Sequence, residues 1–154
     1  MLPEELTVSE LMTTALITRA EDESIGRAEL DMELADVRHI PVVDGRGNLV
    51  GILSNRDVFR ALGRELGTSR EHAVRVGDIV TRDVVTVTRY TRAHEAAELM
   101  LDHKIGAIPV IGDEGQLIGL VTETDFLRVA LRALRAEPLA DAEDESYPEE
   151  RREF

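Results

Sequence analysis

The chain has no cysteine and no tryptophan, only three phenylalanines and two tyrosines, and 18 basic residues against 31 acidic ones. Each shortage excludes something. Without cysteine there is no disulfide framework, no thiolate metal site and no cysteine nucleophile. No apolar run approaches the ~20 residues that span a bilayer. The opening MLPEELTVSE is acidic where a secretory signal would be basic and then apolar. These features predict a soluble, cytoplasmic protein with no membrane partner. The net charge of −13 argues against a nucleic-acid partner, which needs a basic surface. Eight acids and two bases fall within 137–154, and that segment, EPLADAEDESYPEERREF, reads as a solvated, disordered tail. The tail accounts for −6, and the −7 that remains still opposes nucleic acid, even with a local arginine group at Arg60, Arg64, Arg70 and Arg75.

What is present is a repeat. GILSNRD ends at Asp57 and GLVTETD ends at Asp125, 68 positions later. The same offset superposes Val8 on Val76, Thr13 on Thr81, Met32 on Met100, Ile40-Pro41-Val42 on Ile108-Pro109-Val110 and Gly47 on Gly115, with no gap. Two copies are too few for a solenoid and suit a pseudo-symmetric pair. Half-domains of about 60 residues are marginal alone, so the copies are expected to share a core. The boundaries read as a lead-in 1–7, a first repeat 8–67, a linker 68–75, a second repeat 76–136 and the acidic tail 137–154.

Within a copy, a β-branched run (ALIT, VVTVT) precedes a helical stripe: Ile25, Ala28, Met32 and Ala35 in one copy, Ala93, Ala96, Ala97 and Met100 in the other. Two β-runs around a Gly-rich turn follow, with Pro41 and Pro109 placed at strand starts or an edge. A second helix closes the unit, giving β-α-β-β-α. On the last helix Phe126, Leu127, Val129, Ala130, Leu131 and Leu134 cover roughly 200° of the circumference, more than one sheet can bury. That surplus, with Val58, Phe59, Leu62 and Leu66 on the matching helix, predicts a further packing partner.

The search for chemistry is mostly negative. His94 to Glu98 spells HEAAE, but the second histidine of a zinc-protease helix is missing and the first copy has Gly26 and Leu30 at the matching positions. GRGNLVG lies between two strands, so it reads as a hairpin turn and not as a dinucleotide loop. No nucleophile pairs with a base, and no metal site is expected. Ser54-x-x-Asp57 and Thr122-x-x-Asp125 fit helix caps. Glu or Gln reaches back better from that third helical position, so aspartate in both copies suggests a second task. A carboxylate there accepts hydrogen bonds from the vicinal hydroxyls of a ribose.

Two such units carrying VRHIPVVD, IGAIPVI, GILSNRD and GLVTETD resemble a pair of cystathionine-β-synthase-type (CBS) domains over about 8–136. The resemblance implies an α/β fold with α+β character. Two repeats would pack sheet to sheet as a pseudo-twofold pair, and two chains would form a disc-shaped homodimer. It also implies clefts for AMP, ADP, ATP or S-adenosylmethionine, with Asp holding ribose and Ser or Thr touching ribose or phosphate. Carried over, Ser54 and Asp57 serve one cleft and face Val84, Val85 and the stretch to Ala107, Ile108 and Pro109. Thr122 and Asp125 serve the other and face Leu16, Ile17 and the stretch Arg38, His39, Ile40 and Pro41. Arg38 is expected to hold phosphate in the Asp125 cleft, which would make that cleft the better nucleotide site. His39 is expected to point elsewhere, because strand neighbours alternate; the Asp57 cleft keeps Arg56, which is discounted because an arginine at a helix start turns as readily into solvent. Few aromatics leave adenine to rest on aliphatic side chains. The function implied is that of a stand-alone regulatory sensor, not an enzyme, needing no cofactor and acting on an unidentified partner protein. The alternative is a ligand-free dimerisation module whose aspartates only cap helices.

Overall fold

The structure, a computed structural model, describes residues 5–65 and 74–136. Expectations placed on Leu66, Arg70, most of the linker and the acidic tail lie outside the described residues. The elements run α1 (Val8–Leu11), α2 (Ile25–Ala35), β1 (His39–Val43), β2 (Leu49–Ser54), α3 (Asn55–Glu65), α4 (Val76–Ile79), β3 (Val87–Thr88), α5 (Ala93–His103), β4 (Ala107–Ile111), β5 (Leu117–Thr122) and α6 (Glu123–Ala136). The fold is thus α/β, built of two like repeats. Among the described residues no helix is long and apolar enough to cross a membrane.

The strands β1 and β2 pair antiparallel, as do β4 and β5, each around a turn with a left-handed glycine, Gly47 at φ +82° and Gly115 at φ +86°. In the first turn the Asp44 carboxylate accepts the amides of Arg46 and Asn48 at 2.8 and 3.0 Å, which settles GRGNLVG as a hairpin. The helices α2 and α5 both end at a residue in the left-handed region, Asp36 and Lys104, each at φ 53°. The chain then turns into the proline-bearing strands.

The leading β-runs differ from expectation. In the first copy the strand shrinks to a single parallel bridge, Arg19 to Val42, and in the second to Val87–Thr88 beside β4. The segment just before each run bridges to the other repeat. Thr13 exchanges two hydrogen bonds of 2.9 Å with Leu120, and Thr81 exchanges bonds of 2.9 and 3.0 Å with Ile52. Thr7 bridges to Arg92 and Ser24 to Arg75 in the same crossed fashion, and Asn48 meets its own counterpart Gln116 at the centre.

The cores follow this crossing. Ala28, Met32, Ile40, Val42, Leu53 and Val58 form the first with Val76 from the start of the second repeat. Val87, Ala96, Met100, Ile108, Val110 and Val121 form the second with Val8 from the start of the first. Between them Ile52, Ala107 and Leu120 pack with Leu16 and Val84. Ala35, expected on the buried stripe, is exposed, because α2 is already turning out toward its left-handed cap. Val58 is buried inside the protomer, so of the apolar group expected on α3 Phe59 is the exposed member. On α6, Leu127, Leu131 and Leu134 are exposed.

Candidate functional site

The two repeated aspartates sit at the third position of α3 and α6, one turn inside helices that start as their hairpins end. Both take part in caps. Ser54 Oγ accepts the Asp57 amide at 3.2 Å and donates to Asp57 Oδ2 at 2.8 Å. Thr122 donates to Asp125 Oδ2 from its amide at 2.9 Å and from its hydroxyl at 3.2 Å.

Beyond the cap the two carboxylates part. Asp125 Oδ1 also accepts from Thr13 Oγ1 at 3.2 Å and from Arg128 at 3.3 Å, and the residue is 4 % exposed. Four donors fill about the four acceptor positions of a carboxylate. Asp57 Oδ1 accepts no hydrogen bond among the described residues, and the side chain is half-buried. It faces a cavity of about 940 Å³, against about 280 Å³ for the hollow beside Asp125.

The large cavity draws its walls from both repeats. Ser54, Asp57, Val84, Val85 and Ala107 line it together, as the sequence placed them, with Ile105 and Gly106 beside them. Ile108 and Pro109 lie buried behind the wall. Arg38 and His39 also line this cavity and not the Asp125 hollow, which reverses the expected assignment. Two physical facts explain the reversal. Arg38 lies in the bend before β1, where strand alternation does not apply. The two proline-bearing strands also meet near the pseudo-axis, so closely that a Cβ on Gly106 would stand 3.3 Å from His39 Cε1. Both strands therefore face one cavity.

Leu16 and Ile17 are not brought to Asp125. Leu16 packs between the repeats and Ile17 against the first core, and Ile40 and Pro41 are buried. Thr122 contributes through its cap, and the Asp125 hollow is walled by Leu6, Glu10, Leu11 and α6. Arg56 lines the large cavity and does not simply face solvent, and with it come residues that sequence reasoning passed over: Phe59, Thr81 and Lys104. Thr81 was detectable, since it is the 68-residue counterpart of the Thr13 that binds Asp125. Burial lowers the pKa of His39 from its ordinary 6.5, opposed by the carboxylate of Glu123, reinforced by Arg38 and opposed again by Asp57.

This geometry has counterparts in known proteins. Residues 8–64 and 76–132 each match the family model described as the CBS domain. The structure of CBSX2 in complex with AMP superposes with a TM-score of 0.75 at 30 % identity, covering 84 % of this chain and 99 % of that one; CBSX2 is a CBS-pair protein from Arabidopsis thaliana. The CBS domain pair of protein MJ0100, in complex with 5′-methylthioadenosine and S-adenosyl-L-methionine, gives 0.72 at 27 % identity and covers 82 % and 97 %. The inosine-5′-monophosphate dehydrogenase of Methanocaldococcus jannaschii is 34 % identical over 119 residues, 77 % of this chain. The chain spans only 22 % of that enzyme's length. With two matched repeats covering most of its length, the chain belongs to the CBS-domain family.

Proposed function

We propose that the protein is a regulatory sensor that holds one adenine nucleotide or related adenosyl ligand per chain, in the Asp57 cleft, and passes its state to a partner protein. The observation that carries this reading is Asp57 Oδ1, which accepts no hydrogen bond among the described residues, on a helix start that lines a large cavity. Ribose hydroxyls would donate to it, and adenine would rest on Val84, Val85 and Ile105 or against Phe59. Similar proteins of known structure hold AMP, 5′-methylthioadenosine and S-adenosylmethionine. Because the walls come from both repeats, a bound ligand would tie them together, and a ligand shifts an equilibrium by its differential affinity for the two states. Asp125 fits the capping role, its acceptor positions being taken. Two copies would pair through the exposed apolar faces of α3 and α6 into a disc-shaped homodimer.

Calorimetry with an adenosyl panel, from adenosine and AMP to ATP, tests the reading. One site per chain is expected, lost in Asp57→Ala. Asp125→Ala should lower the melting temperature while leaving one-site binding in place. Two equal sites per chain, or undiminished binding in Asp57→Ala, would overturn it.

A further inference from the structure

One polar pair crosses between the repeats without a mirror image. His39 opens β1 of the first repeat, and Glu123 opens α6 of the second. Both line the Asp57 cleft, with Gly106 between them. A Cβ on that glycine would stand 3.3 Å from His39 Cε1 and 3.4 Å from Glu123 Cδ, so imidazole and carboxyl converge on one point from opposite repeats. The amide of Glu123 donates to the Gly106 oxygen at 3.2 Å, which pins the start of α6 at that point. The 68-residue offset relates His39 to Ala107, Glu123 to Asn55 and Gly106 to Arg38. Across the pseudo-axis, therefore, the matching place holds no titratable pair.

The surroundings contest the proton on His39. Burial disfavours the imidazolium, Glu123 favours it, Arg38 disfavours it again and Asp57 on α3 favours it. The other charged or titratable groups on the cleft wall are Arg56 and Arg60 on α3, Asp83, and His103 and Lys104 at the end of α5. Glu123 forms no ion pair among the described residues. A neutral imidazole offers that carboxylate one donor and no charge, whereas an imidazolium offers two donors and a charge-assisted bond.

We propose that His39 and Glu123 form a proton-operated clasp between the two repeats: protonation of His39 joins it to Glu123 across Gly106 and ties the cleft shut on that side. The clasp makes the sensor answer to pH as well as to its ligand. Only that link to the ligand rests on the adenosyl reading; the clasp does not. An anion seated in the cleft favours the imidazolium, so its binding takes up a proton and strengthens as pH falls from 8 toward 6. A neutral nucleoside has no such linkage.

Proton NMR of the full chain follows the imidazole signals from pH 5 to 8, with His39 identified by its absence in His39→Gln. Glu123 is exposed, so Glu123→Gln should keep the fold. In Glu123→Gln the His39 midpoint is expected at lower pH than in the wild type. Calorimetry then compares AMP with adenosine at pH 6 and pH 8. The ratio of AMP affinities at the two pH values should be roughly three- to tenfold higher in the wild type than in His39→Gln, a comparison in which the titration of the phosphate itself cancels. Adenosine should show no such difference. An unmoved His39 midpoint in Glu123→Gln would overturn the clasp, whatever binds. A moved midpoint with no binding of AMP or adenosine would uphold the clasp and sink the adenosyl reading. A moved midpoint with the same pH ratio for AMP in wild type and His39→Gln would overturn the link to the ligand and leave the adenosyl reading standing.

Discussion

His39 stands on the wall of the Asp57 cleft, beside Gly106 and near Glu123 of the other repeat, with Arg38 before it in the chain. Burial works against its charged form, so its pKa in the folded chain lies below the ordinary 6.5. The unfolded chain then takes up the proton first. The stability this residue provides is fully present above about pH 6.5 and declines as pH falls through the folded value. Urea unfolding between pH 5 and 8 should show the decline, and His39→Asn should flatten it. An identical pH dependence in the variant would place the titration on other groups. The sequence marked His39 as a cleft residue but sent it and Arg38 to opposite sides. Alternation is a rule for residues inside a strand, and counting Val37 and Arg38 into β1, which begins at His39, was enough to misassign Arg38. The difference between Asp57 and Asp125 was still less legible. It depends on Thr13 reaching one carboxylate from far along the chain.

At the scale of elements, Gly51 and Gly119 explain why the repeated motif opens with glycine. A Cβ on Gly51 would lie 2.1 Å from the backbone oxygen of Thr81, and one on Gly119 would lie 2.7 Å from Met12 Sδ and 3.2 Å from the Thr13 oxygen. Each glycine admits the crossing segment of the other repeat. The two sites should not tolerate alanine equally. Met12 has a flexible side chain that can move aside, but the Thr81 carbonyl is held by its bridge to Ile52. Gly51→Ala should therefore cost about 1–3 kcal/mol from overpacking, plus part of the two bridging hydrogen bonds, each worth about 0.5–1.5 kcal/mol net. Gly119→Ala should cost clearly less. Urea midpoints at constant slope measure both, and equal losses would show that the crossing segment yields as easily as Met12. The duplication, the hairpins and both long helices of each copy were legible in the 68-residue offset and the apolar spacing. The crossing was not, because a repeat reveals which segments are alike and not which copy each one packs against. The same gap hid the loss of the first strand. Just before the ALIT run Thr13 bridges to the opposite repeat, the run itself forms no bridge, and the single bridge at Arg19 is what remains.

For the whole molecule, the described residues of a single chain leave apolar surface that their own layers do not cover. Leu127, Leu131 and Leu134 recur at helical spacing on α6 and are 68 %, 47 % and 71 % exposed, and Phe59 on α3 is 59 % exposed. A soluble chain seldom leaves such a stripe open unless a partner covers it. Because α3 and α6 are equivalent elements of a pseudo-twofold pair, a second copy can cover both at once through a true twofold axis, the commonest closed arrangement. Each leucine buried there would contribute about 1.5–3 kcal/mol. Light scattering should accordingly give twice the monomer mass at micromolar concentration. Leu134→Asp should weaken the dimer by about tenfold or more, since the charge would be taken from water without a partner. Leu134 is exposed in the protomer, so the substitution should leave the circular dichroism and the one-site ligand stoichiometry unchanged. That separates assembly from sensing. A monomeric wild type would refute the dimer, and ligand binding that vanished with Leu134→Asp would mean the Asp57 cleft, which Phe59 also lines, is completed only by the second copy.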